Sequence, residues 1–256
     1  MIPKILKPLE VQLEGFMLSK ITIGKSGAGV WQASRDKTNW FIKAQKNTVD
    51  LEIEANKMRW FAAQGIQVPT VIDYLETSNT AFLITQALTG KDATQSDNPR
   101  ATAIAIAHFL HHLHSLKHRD CPFDRTLDNT LQIAKHNLLN GLVDEADFDL
   151  ARLGTPAVHL YQRLLEQRPT NEDLVLTHGD FCLPNIIIEK NSVVGVIDLG
   201  RAGIADRYQD IALILRSMAS KMNPSFHGCT DIFTYEYGID LESDKLEYYC
   251  LLDEFF

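Results

Sequence analysis

The stretch that decides the fold reads Thr177-His178-Gly179-Asp180-Phe181-Cys182-Leu183-Pro184-Asn185-Ile186, and Ile197-Asp198-Leu199-Gly200 follows it. Asn185 comes five residues after Asp180, and Asp198 comes thirteen residues after Asn185. Apolar runs at 174–177, 186–188 and 193–197 flank these polar side chains and predict short strands that end in sharp turns. The segment therefore predicts an acid, an amide and a second acid on adjacent turns.

These three side chains match the parts that phosphoryl transfer from a nucleotide requires. The reaction needs an oriented hydroxyl, a carboxylate near its proton, and metal ions that offset charge on the phosphate oxygens. Asp180 is the candidate for orienting and deprotonating the hydroxyl. Asn185 and Asp198 offer the hard oxygen ligands that Mg²⁺ prefers. Asp and Asn also cap turns without any catalytic role, but the combined spacing favours the catalytic interpretation.

The rest of the chain changes from strand patterns to helix patterns near Gly90. Before it, the sequence predicts strands at 21–24, 30–33, 40–43, 70–74 and 81–86, with one helix at 51–64. After it, helices are predicted at 99–116, 129–140, 156–167, 206–221 and 244–255. The pattern indicates an α+β protein with a small antiparallel sheet lobe and a larger, mainly helical lobe.

The N-terminal part also carries candidates for nucleotide binding. Gly24-Lys25-Ser26-Gly27-Ala28-Gly29 lies between two predicted strands, where small residues let backbone N–H groups approach phosphates. Ordinary turns use the same residues. Lys43 ends the third strand and would contact phosphates if Glu54 held it by an ion pair. Glu52 is a second candidate partner, and an exposed Lys43–Glu54 pair without function is the alternative.

Composition and charge narrow the classes of ligand. The formal net charge of −8 argues against nucleic acid as a partner, and an acidic surface suits a cationic ligand, although negative charge also serves solubility. No apolar stretch is long enough to span a membrane. Two prolines interrupt residues 1–8, so we expect no export signal. The four cysteines are widely spaced, which predicts reduced thiols in a cytoplasmic protein.

Four segments together carry a family resemblance: residues 177–186, Ile197-Asp198-Leu199-Gly200-Arg201, residues 205–213, and Leu251-Leu252-Asp253-Glu254-Phe255-Phe256. In these the chain resembles the aminoglycoside phosphotransferases, most closely the aminoglycoside 3′-phosphotransferases. The resemblance implies a protein-kinase-like, two-lobe fold, with a nucleotide-binding lobe at 1–88, a hinge at about 85–88, and a catalytic and substrate-binding lobe at 89–256. It implies Mg²⁺-dependent transfer of the γ-phosphate of ATP to the 3′-hydroxyl of kanamycin or neomycin, giving antibiotic resistance.

The resemblance also implies roles for individual residues. Asp180 is the catalytic base, and Asn185 and Asp198 are the metal ligands. The implied nucleotide-binding residues are Lys43, Glu54, Ser26, Phe41, Thr85 and Ala87. The implied substrate-binding residues are Asp147, Asp149, Arg201, Arg216, Asp253, Glu254 and Phe256, with the terminal carboxylate. A solvated acidic loop is the alternative for Asp147 and Asp149. Leu150 and Ser217 stand where near relatives often carry acids, so two possible contacts to substrate amines are missing.

Two other functions fit parts of the pattern. One is a kinase of the same fold acting on choline, a sugar or an amino alcohol. The other is a nucleotide-binding pseudokinase that serves as a scaffold, against which the intact set of Lys43, Asp180, Asn185 and Asp198 speaks. Histidines 108, 111, 112 and 114 share one predicted helix and could ligate zinc, but helix-surface histidines explain them equally well. We expect a monomer whose partner is the small-molecule aminoglycoside, with neither nucleic acid nor membrane involved.

Overall fold

The computed structural model describes residues 2–21, 29–46 and 48–256. The chain divides into two compact units, one of Met1–Gly90 with Val194–Gly200, the other of Lys91–Val193 with Arg201–Phe256. The boundary predicted after residue 88 lies close to the first division, but the sequence did not indicate that residues 194–200 join the N-terminal unit. That residues 1–88 bind nucleotide and 89–256 catalyse stays a prediction.

The first unit is built on an antiparallel sheet. Its strands are β1 (Met17–Ile21), β2 (Gly29–Arg35), β3 (Thr38–Gln45), β4 (Thr70–Glu76) and β5 (Ala81–Gln86), and they lie in the order β1-β2-β3-β5-β4. Trp31 and Ala33 on β2, and Ile42 and Ala44 on β3, are buried because alternate strand residues face the same side. Leucines 6, 9 and 13 near the N-terminus pack against this face.

Helix α1 (Thr48–Ala63) connects β3 to β4. Its buried apolar residues Leu51, Ala55 and Met58 recur every three or four positions, which is the spacing of one helix face. Asp50 lies in the first turn, where the helix dipole favours a negative charge. Gly65 has φ +85° just beyond the helix, a conformation that suits glycine and ends the helical path.

The second unit is mainly helical. Its helices are α2 (Pro99–Ser115), α3 (Leu127–Leu139), α4 (Ala157–Glu166), α5 (Tyr208–Ala219), α6 (Thr230–Tyr237) and α7 (Ser243–Asp253). Its short strands are β6 (Lys91–Asp92), β7 (Leu174–Thr177), β8 (Ile186–Glu189), β9 (Ser192–Val196) and β10 (Gly203–Asp206). β7 pairs with β10, β6, β8 and β9 form a second sheet in that order, and the division between the units falls within β9.

Two packing features support the polar segment of the second unit. Asn98 caps the N-terminus of helix α2, because its side chain accepts a hydrogen bond from the Ala101 N–H. Pro99 occupies the first turn of the helix. Its buried face ends at His114, which is polar and almost fully enclosed. Apolar residues of α3, α4, α5 and α7 form one core cluster that includes Leu131, Leu160, Ala212, Tyr249 and Phe255.

The predicted α+β arrangement is confirmed, with three corrections to its elements. The first strand was expected at 21–24 but occupies Met17–Ile21, and residues 22–24 lie outside the described ranges. Strands β6 and β10 were not predicted. They are so short that their pairing with other strands, and not any local sequence pattern, defines them. Helix α6 was missed because its β-branched and aromatic residues favour strands, whereas burial of Phe233 and Tyr237, four residues apart, holds it helical.

Two further expectations concern the environment of the protein. None of the helices that the structure describes is both long and apolar enough to cross a membrane. All four cysteines lie within the described ranges, and none of them forms a disulfide.

Candidate active site

The part of the candidate site in the first unit centres on the Lys43 ammonium. Nζ of Lys43, on β3, lies 2.7 Å from Oε1 of Glu54 and 2.9 Å from Oδ1 of Asp198. Burial alone lowers the pKa of Lys43, but the two carboxylates outweigh it and raise the pKa above its usual value. The lysine is therefore charged at neutral pH. Glu54 is buried and Glu52 is exposed, so Glu54 is the partner of Lys43.

Asp198 is held in an unusual backbone conformation. Its φ of +66° is left-handed, which Asp adopts more readily than most residues but which still carries strain. Two hydrogen bonds fix the chain around it: Val196 N donates to Gln67 O at 3.0 Å, and Lys57 Nζ donates to Gly200 O at 2.7 Å. Sequence reasoning missed Lys57, although it lies three residues after Glu54 and is almost fully buried.

The other predicted nucleotide-binding residues lie on or near the same sheet. Phe41 on β3 is half-buried and stands directly opposite Thr85 on β5, which is buried. The backbone N–H of Ala87 donates to Asn39 O at 2.9 Å. Ser26 lies outside the described residues. The structure therefore places Phe41 and Thr85 opposite each other on neighbouring strands, with Ala87 just beyond the end of β5.

In the second unit, the turn before Asp180 has room for glycine alone. Gly179 has φ +84°, and a Cβ there would lie 2.1 Å from the backbone oxygen of Arg201. The Asp210 carboxylate on α5 holds this turn in place, because its Oδ1 accepts from Gly179 N at 2.7 Å and its Oδ2 accepts from His178 N at 2.8 Å. Asp210 and His178 are fully buried. The backbone leading to Asp180 is thus fixed by packing and by a buried carboxylate.

The Asp180 carboxylate is held by two neighbours. Asn185 Nδ2 donates to Oδ2 at 2.9 Å and to the Asp180 carbonyl at 3.0 Å, and Arg201 NH2 lies 3.1 Å from Oδ1. The Asp180 side chain remains one-third exposed, so a ligand hydroxyl can reach it. Nδ2 makes both of these Asn185 contacts, so the amide oxygen takes no part in them.

Arg201 links Asp180 to the C-terminal segment. Its NH2 also lies 2.7 Å from Oδ1 of Asp253, and Arg216 pairs with the other oxygen of Asp253 and, at 3.3 Å, with Asp149. Burial alone would raise the pKa of Asp253, but Arg201 and Arg216 hold it below its ordinary value. Asp180 and Asp253 therefore share one guanidinium group within the second unit.

A third arginine, which sequence reasoning did not single out, holds the neighbouring acids. Arg152 is almost fully buried and pairs with Glu254 at 2.9 Å, Asp149 at 3.1 Å and Glu247 at 2.7 Å. The Asp149 N–H also donates to the Glu254 carboxylate. Burial raises the pKa of Glu254, and the nearby Asp149 raises it further. The carboxylates of Asp253 and Glu254 are therefore largely covered and form ion pairs with arginines.

The remaining substrate-binding candidates are more accessible. Asp147 is exposed, Asp149 is 41% exposed, and Phe256 is 42% exposed. The guanidinium groups of Arg125 and Arg201 lie 5.3 and 5.5 Å from the centre of the Phe256 ring. Leu150 is largely exposed, and the Ser217 hydroxyl accepts from Leu183 N at 3.1 Å. The carboxylates of Asp147 and Asp149 and the ring of Phe256 are therefore accessible on this surface.

The donor set suits a hard cation bound through few protein ligands. Mg²⁺ takes one or two protein oxygens and completes its shell with water and phosphate. Oxygens of that kind are present in each unit taken by itself, as the Asn185 amide in the second and the half-exposed Asp198 carboxylate in the first. Among the described residues, no group of three or more His, Cys, Asp or Glu side chains is placed to hold a metal. His108 instead contacts Glu236, and His114 contacts Asp210 and Tyr237, so the histidines of α2 do not form a zinc site.

Comparisons with known proteins all find phosphotransferases. Residues 34–228 match the model of the phosphotransferase enzyme family. An Escherichia coli aminoglycoside 3′-phosphotransferase is 35% identical, over 99% of this chain and 96% of its own length. The crystal structure of an aminoglycoside 3′-phosphotransferase of type VIII has 36% identity and a TM-score of 0.92, covering 98% of each chain.

A second solved structure contains ligands. It is the Streptomyces rimosus aminoglycoside phosphotransferase APH(3″)-Id in complex with ADP and streptomycin. It is 29% identical to this chain, with a TM-score of 0.86, and the match covers 98% of this chain and 96% of that one.

Proposed function

This chain belongs to the phosphotransferase enzyme family, and from that membership we propose that it transfers the γ-phosphate of ATP to the 3′-hydroxyl of aminoglycoside antibiotics and so confers resistance. The observation that carries the choice of acceptor is the sharing of Arg201 by Asp180 and Asp253. It brings the proposed catalytic carboxylate next to the acidic C-terminal segment, where a polycationic sugar would be held. The near full-length likeness to aminoglycoside 3′-phosphotransferases supports the same acceptor.

Asp180 is the proposed catalytic base. Its carboxylate accepts a hydrogen bond from the attacking hydroxyl and takes the proton as the new oxygen–phosphorus bond forms and ADP leaves. Asn185 and Arg201 hold the two carboxylate oxygens, which orients Asp180. The base is therefore aligned before the substrate arrives, which lowers the entropic cost of reaching the reactive geometry.

ATP is the proposed donor, in keeping with the ADP bound to the Streptomyces rimosus relative. Lys43, held by Glu54, would contact the phosphates, and Ser26 would lie in the nucleotide loop. Phe41, Thr85 and Ala87 would line the adenine site. The proximity of Phe41 and Thr85 on neighbouring strands supports this assignment.

Magnesium is the proposed metal, with Asn185 and Asp198 as its protein ligands. When bound, Mg²⁺ offsets negative charge on the phosphate oxygens. The chain's own contribution is to present the Asn185 oxygen, by engaging its Nδ2 with Asp180, and to fix Asp198 through Lys43 and the strained backbone.

The proposed aminoglycoside site comprises the acidic and aromatic side chains around Arg201 and Arg216. Asp147, Asp149 and Phe256 are accessible and would contact the ligand directly. Asp253 and Glu254 belong to the same site, where their ion pairs with arginines fix the position of the surrounding groups. Three arginines, Arg152, Arg201 and Arg216, offset part of the acidic charge, so ring hydroxyls as well as amines find partners.

A turnover assay tests the proposal. Enzyme, ATP and Mg²⁺ are incubated with kanamycin, neomycin, a 3′-deoxy aminoglycoside or choline, and ADP release is followed. We expect turnover with kanamycin and neomycin and none with the 3′-deoxy compound or choline. Turnover of choline alone would replace the proposal with a metabolic kinase, and no turnover of any aminoglycoside would reject it. A strain expressing the gene should also survive kanamycin at concentrations that kill the parent strain.

A further inference from the structure

His114 is a buried histidine that takes no direct part in the proposed reaction, and we propose that it is a positioning residue for the loop that carries Asp180. It lies near the end of α2, and its side chain is 2% exposed. Its Nε2 is 3.1 Å from Oδ2 of Asp210, and its Nδ1 is 2.7 Å from the Tyr237 hydroxyl. The inference rests on the proposed function, because it concerns the same catalytic loop.

Asp210 connects His114 to the catalytic loop. The same Asp210 carboxylate accepts hydrogen bonds from the backbone N–H groups of His178 and Gly179, the two residues that directly precede Asp180. A rotation of this carboxylate would therefore move or release the backbone from which Asp180 projects. Rates of enzymatic reactions are sensitive to displacements of this kind, since the base must meet the hydroxyl at hydrogen-bond distance.

The hydrogen bonds around His114 have one consistent direction. Both oxygens of Asp210 already accept from backbone N–H groups, so Asp210 is also the acceptor in its contact with His114, and Nε2–H is the donor. Nδ1 then accepts from the Tyr237 O–H. Arg207 NH1, which only donates, lies 3.0 Å from the Tyr237 oxygen. The chain Arg207 to Tyr237 to His114 to Asp210 thus fixes the Nε2–H tautomer of the imidazole.

Tyr237 is suited to its place in this chain. Burial raises the pKa of Tyr237 to about 12, although Arg207 acts in the opposite direction. The phenol therefore keeps its proton at neutral pH and can donate it to Nδ1. The rings of His114 and Tyr237 also meet edge to face, with centroids 5.8 Å apart. These contacts leave the imidazole one orientation, in which Nε2–H points at Asp210.

A pair of amide substitutions separates positioning from bulk packing. The amide nitrogen of glutamine can take the place of imidazole Nε2, whereas that of asparagine takes the place of Nδ1. His114→Gln should keep the hydrogen bond to Asp210 and at least about half of kcat. His114→Asn should lose it and lower kcat by about tenfold or more. The KM values for ATP and kanamycin should stay within about twofold of wild type in both variants.

Two outcomes of this kinetic comparison would overturn the proposal: equal kcat values for the two variants, or a loss that appears in KM and not in kcat. Wild-type turnover in the same assay tests the proposed function separately. If the wild type does not turn over kanamycin, the proposed function fails, whereas an active wild type with an equally active His114→Asn variant rejects only the role of His114.

A spectroscopic measurement covers the case in which a variant does not fold. In wild-type protein labelled with ¹⁵N at histidine, long-range ¹H–¹⁵N correlation distinguishes the two neutral tautomers and the imidazolium. We expect a proton on Nε2 of His114 and none on Nδ1, and we expect Tyr237→Phe to disturb this signal while leaving that of the exposed His108 unchanged. A proton on Nδ1, or on both nitrogens, would contradict the inferred chain.

Discussion

At the residue scale, the candidate site depends on a few side chains that each hold two or more partners. Lys43 pairs with Glu54 and Asp198, Arg201 with Asp180 and Asp253. Such shared contacts fix groups more firmly than isolated pairs do, because each partner limits the movement of the other. The chemistry proposed for Asp180 therefore depends on neighbours as well as on the carboxylate itself.

Replacing Asp180 by alanine should remove the base and leave the nucleotide site intact. We expect kcat to fall by roughly 10²–10⁴-fold, while the ATP dissociation constant, measured by calorimetry, stays within about twofold because Asp180 is assigned to the acceptor. Asp97→Ala, in an exposed carboxylate paired with Lys91, is the matched control and should retain kcat. Wild-type kcat in the Asp180 variant would assign the deprotonation to another group.

Gly179→Ala should be far more harmful than the same change at a glycine of similar conformation. Gly154 has φ +83° and open space where a Cβ would be, whereas at Gly179 the Cβ would meet the Arg201 carbonyl. We expect Gly154→Ala to cost about 1–2 kcal/mol in the free energy of unfolding, the cost of the left-handed conformation alone. Gly179→Ala should cost more and should also lower kcat, as urea unfolding and steady-state kinetics would establish. Equal costs would mean that the loop relaxes.

At the element scale, helix α1 contacts the Asp198 segment at two points on the same face. Glu54 reaches it through Lys43, and Lys57 donates directly to Gly200 O. The two side chains are three residues apart, which places them on adjacent turns of one face. Helix α1 therefore holds the Asp198 side chain through Glu54 and Lys43, and the backbone near Asp198 through Lys57.

Lys57→Met should loosen this attachment while keeping an unbranched side chain that is only one atom shorter. The Gly200 carbonyl loses a donor, which for a buried group costs about 1–3 kcal/mol in stability. We also expect a lower kcat at saturating kanamycin, because Asp198 is the proposed metal ligand. Arg59→Met on the exposed side of α1 is the control and should change neither quantity. A Lys57 variant with normal kcat but reduced stability would limit Lys57 to a structural role.

The elements also show how far sequence reasoning reaches. Asp180, Asn185 and Asp198 could be proposed as one candidate site because they lie close together in the sequence. Lys43 and Glu54 could be proposed as a pair because they lie on a strand and on the helix that follows it. Lys57, Arg152 and His114 could not be assigned, since their partners lie far along the chain and only the tertiary fold brings them together. Helix α6 was missed for the same reason: packing overrides its local strand preference.

At the scale of the whole molecule, charge is distributed in a way that composition does not indicate. The formal net charge is −8, yet the largely covered carboxylates of Asp253 and Glu254 are paired with arginines. The predicted acidic pocket is therefore an alternating set of charges. Its stability should depend on pH in a manner set by those two carboxylates.

The pKa of Asp253 lies below its ordinary value of 3.8 in the folded protein. Its charge therefore stabilises the fold above about pH 4, and this contribution disappears as the pH falls further. Asp253→Asn should lower the free energy of unfolding at pH 7 by roughly 3–5 kcal/mol, and its difference from wild type should shrink on acidification.

Glu254→Gln provides the opposite case. Burial raises the pKa of Glu254, so its carboxyl contributes stability at low pH that is lost as the pH rises through the folded pKa. The wild type should gain stability relative to Glu254→Gln on acidification. Urea unfolding of wild type and both variants between pH 7 and about pH 2.5 tests both signs, and parallel trends for the two would contradict the assignment of Arg201 and Arg216 to Asp253.

The position of the transferred phosphate tests the central claim most directly. Kanamycin phosphorylated by the enzyme with ATP and Mg²⁺ is purified and analysed by ¹H–³¹P correlation NMR. A single correlation between phosphorus and the proton at C3′ is the predicted result, and the Asp180→Ala enzyme should give no such product in the same time. A phosphate on any other hydroxyl, or the same product from the Asp180 variant at the wild-type rate, would contradict the account.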